Sequence, residues 1–409
     1  MQTPDVVVLV PGFLGFTRFG GFYYFADRLM AVLRGLLEES LGYPVPVVPV
    51  TTLPTDSLIN RQGALLPNLA EVCEKLSDVQ RLHLIGHSTG GVDAQLLACT
   101  KSFDGHAWDK KANAVRKKIK SVVTISAPHY GTGLADSRLA RWGENPLRHP
   151  TAIIPEARTL IDLLLLVPRD LAAAAGFEFA APNDVIKFMW QIARNRDLIE
   201  DLKADRMEAV RARLSSDPEI ALTCFVSGTM PRDDATSPSD PFFRDMYRLT
   251  QGSESVSSVV QECDGLLRTL VQEQPDLVIR SRQSHMPTIS STLNDGVVNT
   301  VRQIVNPGRR EEVGGLVVAD HAEVLGHYDR QDALIGGKPY NRGLFHSGAA
   351  FGDDEFFGLY RWVAQAILKT IPGAQREEET PELDVDPAGL ISEQGAARYG
   401  YGGWCPWGP

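Results

Sequence analysis

Leu82-His83-Leu84-Ile85-Gly86-His87-Ser88-Thr89-Gly90-Gly91 runs from a short apolar stretch, through a serine flanked by glycines, into the helix-forming residues 92–99. The apolar start predicts a buried strand, and G-x-S-x-G directly after it matches a sharp strand-to-helix turn. At such a turn the strand and the helix close on one another, so side chains flanking the serine must vanish. Gly86, Gly90 and Gly91 meet that demand. The serine then projects from strained backbone at a helix N-terminus, where unpaired amides and the macrodipole favour negative charge. The pentapeptide alone arises by chance, and its place between strand and helix makes it specific. The pattern assigns Ser88 as a candidate nucleophile and the N–H of Thr89 as a donor to an oxyanion.

A serine hydroxyl needs a base, and the base needs a carboxylate to orient it. At nucleophile turns of this kind the chain order is Ser, acid, His. Of nine histidines, His285, His321, His327 and His346 lie far enough along the chain. His321 follows the strand-like residues 316–319, whose carboxyl end would present it, and His327 is the fallback. His87 reads as a packing or supporting residue, His83 and His129 as core or hydrogen-bonding residues, and His106 and His149 as solvated. For the acid, Asn294-Asp295-Gly296-Val297-Val298 precedes His321 by about one loop–helix–strand connection. Asp295 is preferred to Asp264, which falls in a helix-like segment, and to Asp320, whose side chain diverges from that of its neighbour. A second oxyanion donor comes from Val10-Pro11-Gly12-Phe13-Leu14-Gly15, where Gly12 permits a turn that presents the Phe13 N–H.

Further out, residues 6–10 form an unbroken apolar run, read as a strand buried on both faces. Residues 22–41 and 57–76 read as helices. Residues 45–50 read as a strand that Pro46 and Pro49 demote to an edge. Residues 121–126, 220–226 and 315–319 read as further strands, 227–252 as loop, and 256–271 and 354–371 as helices. This alternation predicts an α/β fold with a mostly parallel sheet and right-handed crossovers. Between residues 134 and 217 it stops, and apolar helical segments follow one another without strands. The expected organisation is an α/β core of residues 1–133 and 218–371, a helical cap inserted at 134–217, and an acidic, Gly- and Pro-rich tail at 372–409.

The 409-residue chain carries 51 Asp and Glu against 41 Lys and Arg, a formal charge of −10. A net acidic surface argues against nucleic acid as a partner. The cluster Arg116, Lys117, Lys118 and Lys120 reads as a solvated loop before a strand. The five cysteines form no CxxC pair and no zinc spacing, so buried or free thiols are expected. Cys224 and Cys263 are the pair that a disulfide could join. No apolar stretch reaches membrane-spanning length. The first residues enter a strand at once, without a basic leader region, so a cytoplasmic location is expected.

Together, VVVLVPGFLG (6–15), LHLIGHSTGG (82–91), VVTISAPHYGTGLAD (122–136), NDGVV (294–298) and ADHAEV (319–324) resemble the bacterial triacylglycerol lipases and esterases of the α/β-hydrolase fold. The resemblance implies a serine carboxylic-ester hydrolase acting on hydrophobic acyl esters, with transient contact to a lipid interface. It implies Ser88 as nucleophile, His321 as base, Asp295 as acid, and Phe13 and Thr89 as oxyanion donors. An acyltransferase or thioesterase using the same triad is the alternative, and a catalytically silent lipid-binding protein is a third reading. Members usually carry His-Gly at the oxyanion turn, where this chain has Pro11-Gly12. Many hold a structural calcium partly through an aspartate two residues after the catalytic histidine. Here that position is Glu323, with no clear second ligand, so no metal or cofactor is expected. The apolar stretches of the cap, including Leu164 and Phe188, would line an acyl tunnel and open as a lid.

Overall fold

The computed structural model describes residues 4–136 apart from 14, 20, 21 and 77, and residues 197–231, 241–251, 257–328, 334–335, 338–339 and 347–374. Its centre is a seven-stranded sheet. The strands are β1 (Asp5–Val10), β2 (Val47–Pro49), β3 (Arg81–His87), β4 (Ile119–Ile125), β5 (Ala221–Ser227), β6 (Val278–Ile279) and β7 (Val313–Val317). Their spatial order is β2-β1-β3-β4-β5-β7-β6, and every pairing is parallel. The main helices are α1 (Asp27–Leu41), α2 (Leu58–Lys75), α3 (Thr89–Leu97), α4 (Lys110–Arg116), α5 (Asp197–Asp201), α6 (Ala204–Arg211), α7 (Pro241–Gln251), α8 (Ser258–Glu273) and α9 (Asp353–Leu368).

The strand β1 shows why the sheet forms. All of its residues are buried. Val7 and Leu9 join the core on one face, and Val6, Val8 and Val10 the core on the other. A strand covered on both faces has no reason to alternate with polar residues. Helices α1 and α9 cover the first face, α9 through Phe356, Leu359, Tyr360, Val363 and Ile367. On the second, α2 contributes Leu65, Leu69 and Val72, and α8 contributes Val260, Cys263, Leu267 and Leu270, at the three- and four-residue steps of an amphipathic helix. Pro49 lies on the edge strand β2, where a missing N–H costs least.

Several elements depart from the sequence reading. The first helix begins only at Asp27, because Phe22–Tyr23 pairs antiparallel with Arg18–Phe19. The expected loop 227–252 contains α7, which buries Phe243, Met246, Tyr247 and Thr250 on one face. Arg116 is not solvated. Its Nε donates to Leu97 O (2.7 Å), and its Nη2 donates to Cys99 O (2.6 Å) and Asp217 (3.3 Å), tying the end of α3 to the segment before β5. Cys224 and Cys263 share one core cluster but are free thiols, both pushed up to about 12 by burial. Residues 137–196 of the expected cap, with Leu164, Phe188 and His149, lie outside the described residues, as do His346 and the tail from 375. The described part, 197–217, packs Leu198, Leu202, Met207 and Val210 against Leu58, Val92 and Leu96. Among the described residues no helix is long and apolar enough to cross a membrane.

The loops leaving the carboxyl ends of β1, β3 and β7, and the loop between β6 and β7, hold Phe13, Ser88, His321 and Asp295. Ligand sites of open parallel sheets form at that edge.

Candidate active site

Ser88 stands between β3 and α3 at φ 55° and ψ −133°, a conformation that L residues rarely adopt. Its backbone is pinned from both sides. The Ser88 N–H donates to Ile125 O (3.0 Å), and Ser88 O accepts from the Gly91 N–H (2.9 Å). The flanking glycines are a steric requirement. A Cβ on Gly86 would lie 2.3 Å from Gly90 O, and one on Gly90 would lie 2.3 Å from Val10 O. Both obstacles are backbone atoms that cannot swing aside. Gly90→Ala is therefore expected to lower unfolding free energy by at least about 1–3 kcal/mol, measured in urea, and to remove activity. Wild-type stability in that variant would contradict the steric account.

The turn after β1 lies directly against Ser88, since a Cβ on Gly12 would stand 2.8 Å from the Ser88 Cβ. Gly15 N–H donates to Gly12 O (3.0 Å), and Thr55 N–H donates to Phe13 O (3.3 Å), so the turn is fixed through its carbonyls. The Phe13 N–H is used by neither bond. Thr89 opens α3, and its N–H is one of the donors that a helix start leaves without an internal acceptor. Beneath the turn lies a fully buried ion pair. The Arg61 guanidinium donates to Asp93 Oδ2 through Nη2 (2.6 Å) and Nε (3.0 Å). It also reaches Gly12 O (3.2 Å), Pro11 O (3.4 Å) and Leu53 O. Arg61 thus joins α2, the elbow helix and the turn after β1.

Asp295 and His321 are brought together, with His321 Nδ1 2.8 Å from Asp295 Oδ2. Their backbones are joined too, because His321 N–H donates to Asp295 O (3.0 Å). The Asp295 carboxylate is wholly buried and saturated with donors. Oδ1 accepts from the N–H groups of Val297 (2.9 Å) and Val298 (2.7 Å). Oδ2 also accepts from Ser227 Oγ (2.7 Å) and Gln303 Nε2 (3.2 Å). A carboxylate held this way accepts rather than donates, so the proton of the pair sits on His321 Nδ1. His321 Nε2 then carries the basic lone pair. The elbow and the histidine loop are linked through His87, whose Nε2 lies 2.9 Å from His321 O and whose ring lies 4.6 Å from the His321 ring.

The rival residues have other duties. His327 is half-buried, desolvation lowers it to about 4, and its Nε2 lies 2.9 Å from Tyr24 O, so it serves as a structural donor. His83 lies between Ser121 and Asp5, and His129 contacts Thr124. His106 is exposed beside Asp104, and His285 is exposed. Asp264 pairs with Arg268 on α8 (2.7 Å). Asp320 Oδ1 accepts from the N–H groups of Ala322 and Glu323. Burial, with Glu323 beside it, raises the Asp320 carboxyl well above the usual range. Glu323 Oε2 accepts from Asp320 N–H (2.7 Å) and Ser347 Oγ (3.4 Å). Calcium takes 6–8 oxygen ligands. Among the described residues no three His, Cys, Asp or Glu side chains form a group that could hold a metal ion.

A parallel sheet in this order, an elbow at the end of its third strand, and an acid–histidine pair on later loops define an α/β-hydrolase fold. No protein-family profile and no curated protein matches the sequence. Among solved structures, the chain is similar to bacterial lipases and esterases. Lipase 1 from Pelosinus fermentans superposes with a TM-score of 0.51 at 15% identity, covering 89% of this chain and 99% of that one. EstA from Clostridium botulinum gives 0.48 at 16% identity, covering 90% and 87%. Staphylococcus hyicus lipase gives 0.42 at 16% identity, covering 90% and 96%. At these identities the likeness is one of fold.

Sequence reasoning missed Ser227, Gln303, Arg61, Asp93 and Tyr24. Arg61 and Asp93 carried a signal: Arg61 is a charge on the buried face of α2, in step with Leu58 and Leu65, and Asp93 is a charge within the wholly buried α3. Ser227 and Gln303 carried none, because only the fold brings the ends of β5 and of the 294–303 loop together.

Proposed function

We propose that this protein is a serine carboxylic-ester hydrolase of the lipase and esterase type, acting on esters of hydrophobic acyl chains. The observation that carries this reading is the buried Asp295–His321 pair, tethered through His87 to the elbow that presents Ser88. In this reading Ser88 Oγ attacks the ester carbonyl carbon and its proton passes to His321 Nε2. Phe13 and Thr89 N–H groups receive the oxyanion, a contribution worth about 2.7–4 kcal/mol per donor in such sites. His321 returns the proton to the leaving oxygen and the alcohol departs. Water then attacks the acyl-enzyme, its proton goes to His321, and Ser88 is regenerated as the acid leaves. Asp295 holds the Nδ1–H tautomer throughout.

The test is turnover of p-nitrophenyl esters from acetate to palmitate, with Ser88→Ala as control. Ester turnover that rises with chain length and vanishes in the control is the expected result. Turnover of acyl thioesters, with no ester cleaved, would contradict it.

All the chemistry is assigned to side chains and backbone, so activity is expected to survive a chelator. Melting temperature should also stay within about 2 °C on adding EDTA and then excess calcium. A fall of many degrees with EDTA, reversed by calcium, would reveal a structural metal.

A further inference from the structure

Resting on that reading, we propose that Tyr24 and His87 form a positioning relay. The Tyr24 hydroxyl locks His87 in the one tautomer that holds the His321 peptide against the nucleophile turn.

The tautomer follows from the partners. His87 Nε2 lies 2.9 Å from the carbonyl oxygen of His321, which can only accept, so Nε2 carries the proton. Nδ1 of the neutral ring is then an acceptor, and the Tyr24 hydroxyl, 2.7 Å away, donates to it. In the other tautomer two lone pairs would face each other across the Nε2–carbonyl contact. Burial pushes His87 well below its ordinary value, with His321 adding to the effect. His87 therefore stays neutral beside a histidine that must take up a proton during acyl transfer.

Tyr24 is itself held in place. Its ring meets Phe16 and Phe25 edge-on, and its carbonyl oxygen accepts from His327 Nε2 (2.9 Å). A Cβ on Gly12 would come within 2.5 Å of the Tyr24 hydroxyl, so that oxygen also abuts the oxyanion turn. The relay thus spans three loops: the oxyanion turn, the elbow and the histidine loop. His87 is covalently next to Ser88, and its bond to His321 O sets the separation of the segments that carry nucleophile and base. None of these atoms need touch substrate. Their effect is on the alignment of Ser88 with His321, where misplacement by about 1 Å can cost about 100-fold.

The experiment is a double-mutant cycle in the full chain, read on kcat and KM for one p-nitrophenyl ester. Tyr24→Phe releases Nδ1 and is expected to lower kcat at least about tenfold, with KM within about twofold. His87→Gln places an amide N–H where Nε2–H was and needs no tautomer lock. It is expected to keep kcat within about tenfold of wild type, and adding Tyr24→Phe to it should cost less than about twofold more. Wild-type kcat in Tyr24→Phe, or the same loss from Tyr24→Phe in both backgrounds, would overturn the relay. A general loss of folding would lower kcat in proportion to a fall in melting temperature and would give no rescue by glutamine, which also overturns it. Ser88→Ala, assayed alongside, separates the two levels. Turnover surviving in Ser88→Ala removes the hydrolase reading on which the relay rests. An inactive Ser88→Ala beside an unaffected Tyr24→Phe removes the relay alone.

Discussion

Ser88→Ala is expected to lower kcat on an activated ester by about 10⁶-fold. The loss is large because in the proposed mechanism the hydroxyl, presented by the strained turn at φ 55°, is the atom that bonds to the substrate. Stability should hardly change, within about 0.5 kcal/mol, because alanine inherits the same backbone strain and loses only a small polar atom. His321→Ala should be comparably severe. Residual rates of about 10³–10⁴ over water are expected from the oxyanion donors and binding alone. Turnover within tenfold of wild type in purified, folded Ser88→Ala would contradict the assignment.

Arg61→Met is expected to destabilise the fold by about 3–5 kcal/mol, read as a fall in the urea midpoint. The cause is the carboxylate left behind, since Asp93 is wholly buried and Arg61 is the charge paired with it. Arg61→Met combined with Asp93→Leu should recover most of that stability, because an apolar pair of similar volume leaves no charge stranded. Activity should not recover with it. Arg61 also holds the carbonyls of Pro11 and Gly12, and the double variant leaves the turn proposed to receive the oxyanion without that anchor. Full activity in the restabilised double variant would show that the turn does not depend on Arg61.

The parts of the fold that the sequence made legible are those where burial leaves a local mark. Strand β1 is a nearly continuous apolar run, and β3 and β4 carry the shorter runs Leu84-Ile85 and Val122-Val123, because helices cover both faces of the sheet. Helices α2, α8 and α9 show their buried faces at three- and four-residue steps. Strand β6 has two residues and no period to read. Helix α7 was hidden because its buried aromatics, Phe243 and Tyr247, alternate with charged residues in a stretch that otherwise reads as loop. The candidate site divides the same way. Ser88, Thr89 and Phe13 sit in turns whose glycines are required by backbone contacts, and the Asn294-Asp295-Gly296 turn is equally local. The donors that saturate Asp295 come from β5 and from residue 303, and the Arg61–Asp93 pair joins two helices. The Tyr24–His87 contact spans 63 residues of chain. Such contacts depend on tertiary packing and leave no spacing in the sequence.

The most direct measurement of the central claim is fluorophosphonate labelling of the full chain followed by mass spectrometric mapping of the adduct. The account predicts one adduct per chain, on Ser88, lost in Ser88→Ala and formed far more slowly in His321→Ala. An adduct on any other residue, or labelling of Ser88 at the same rate without His321, would contradict it.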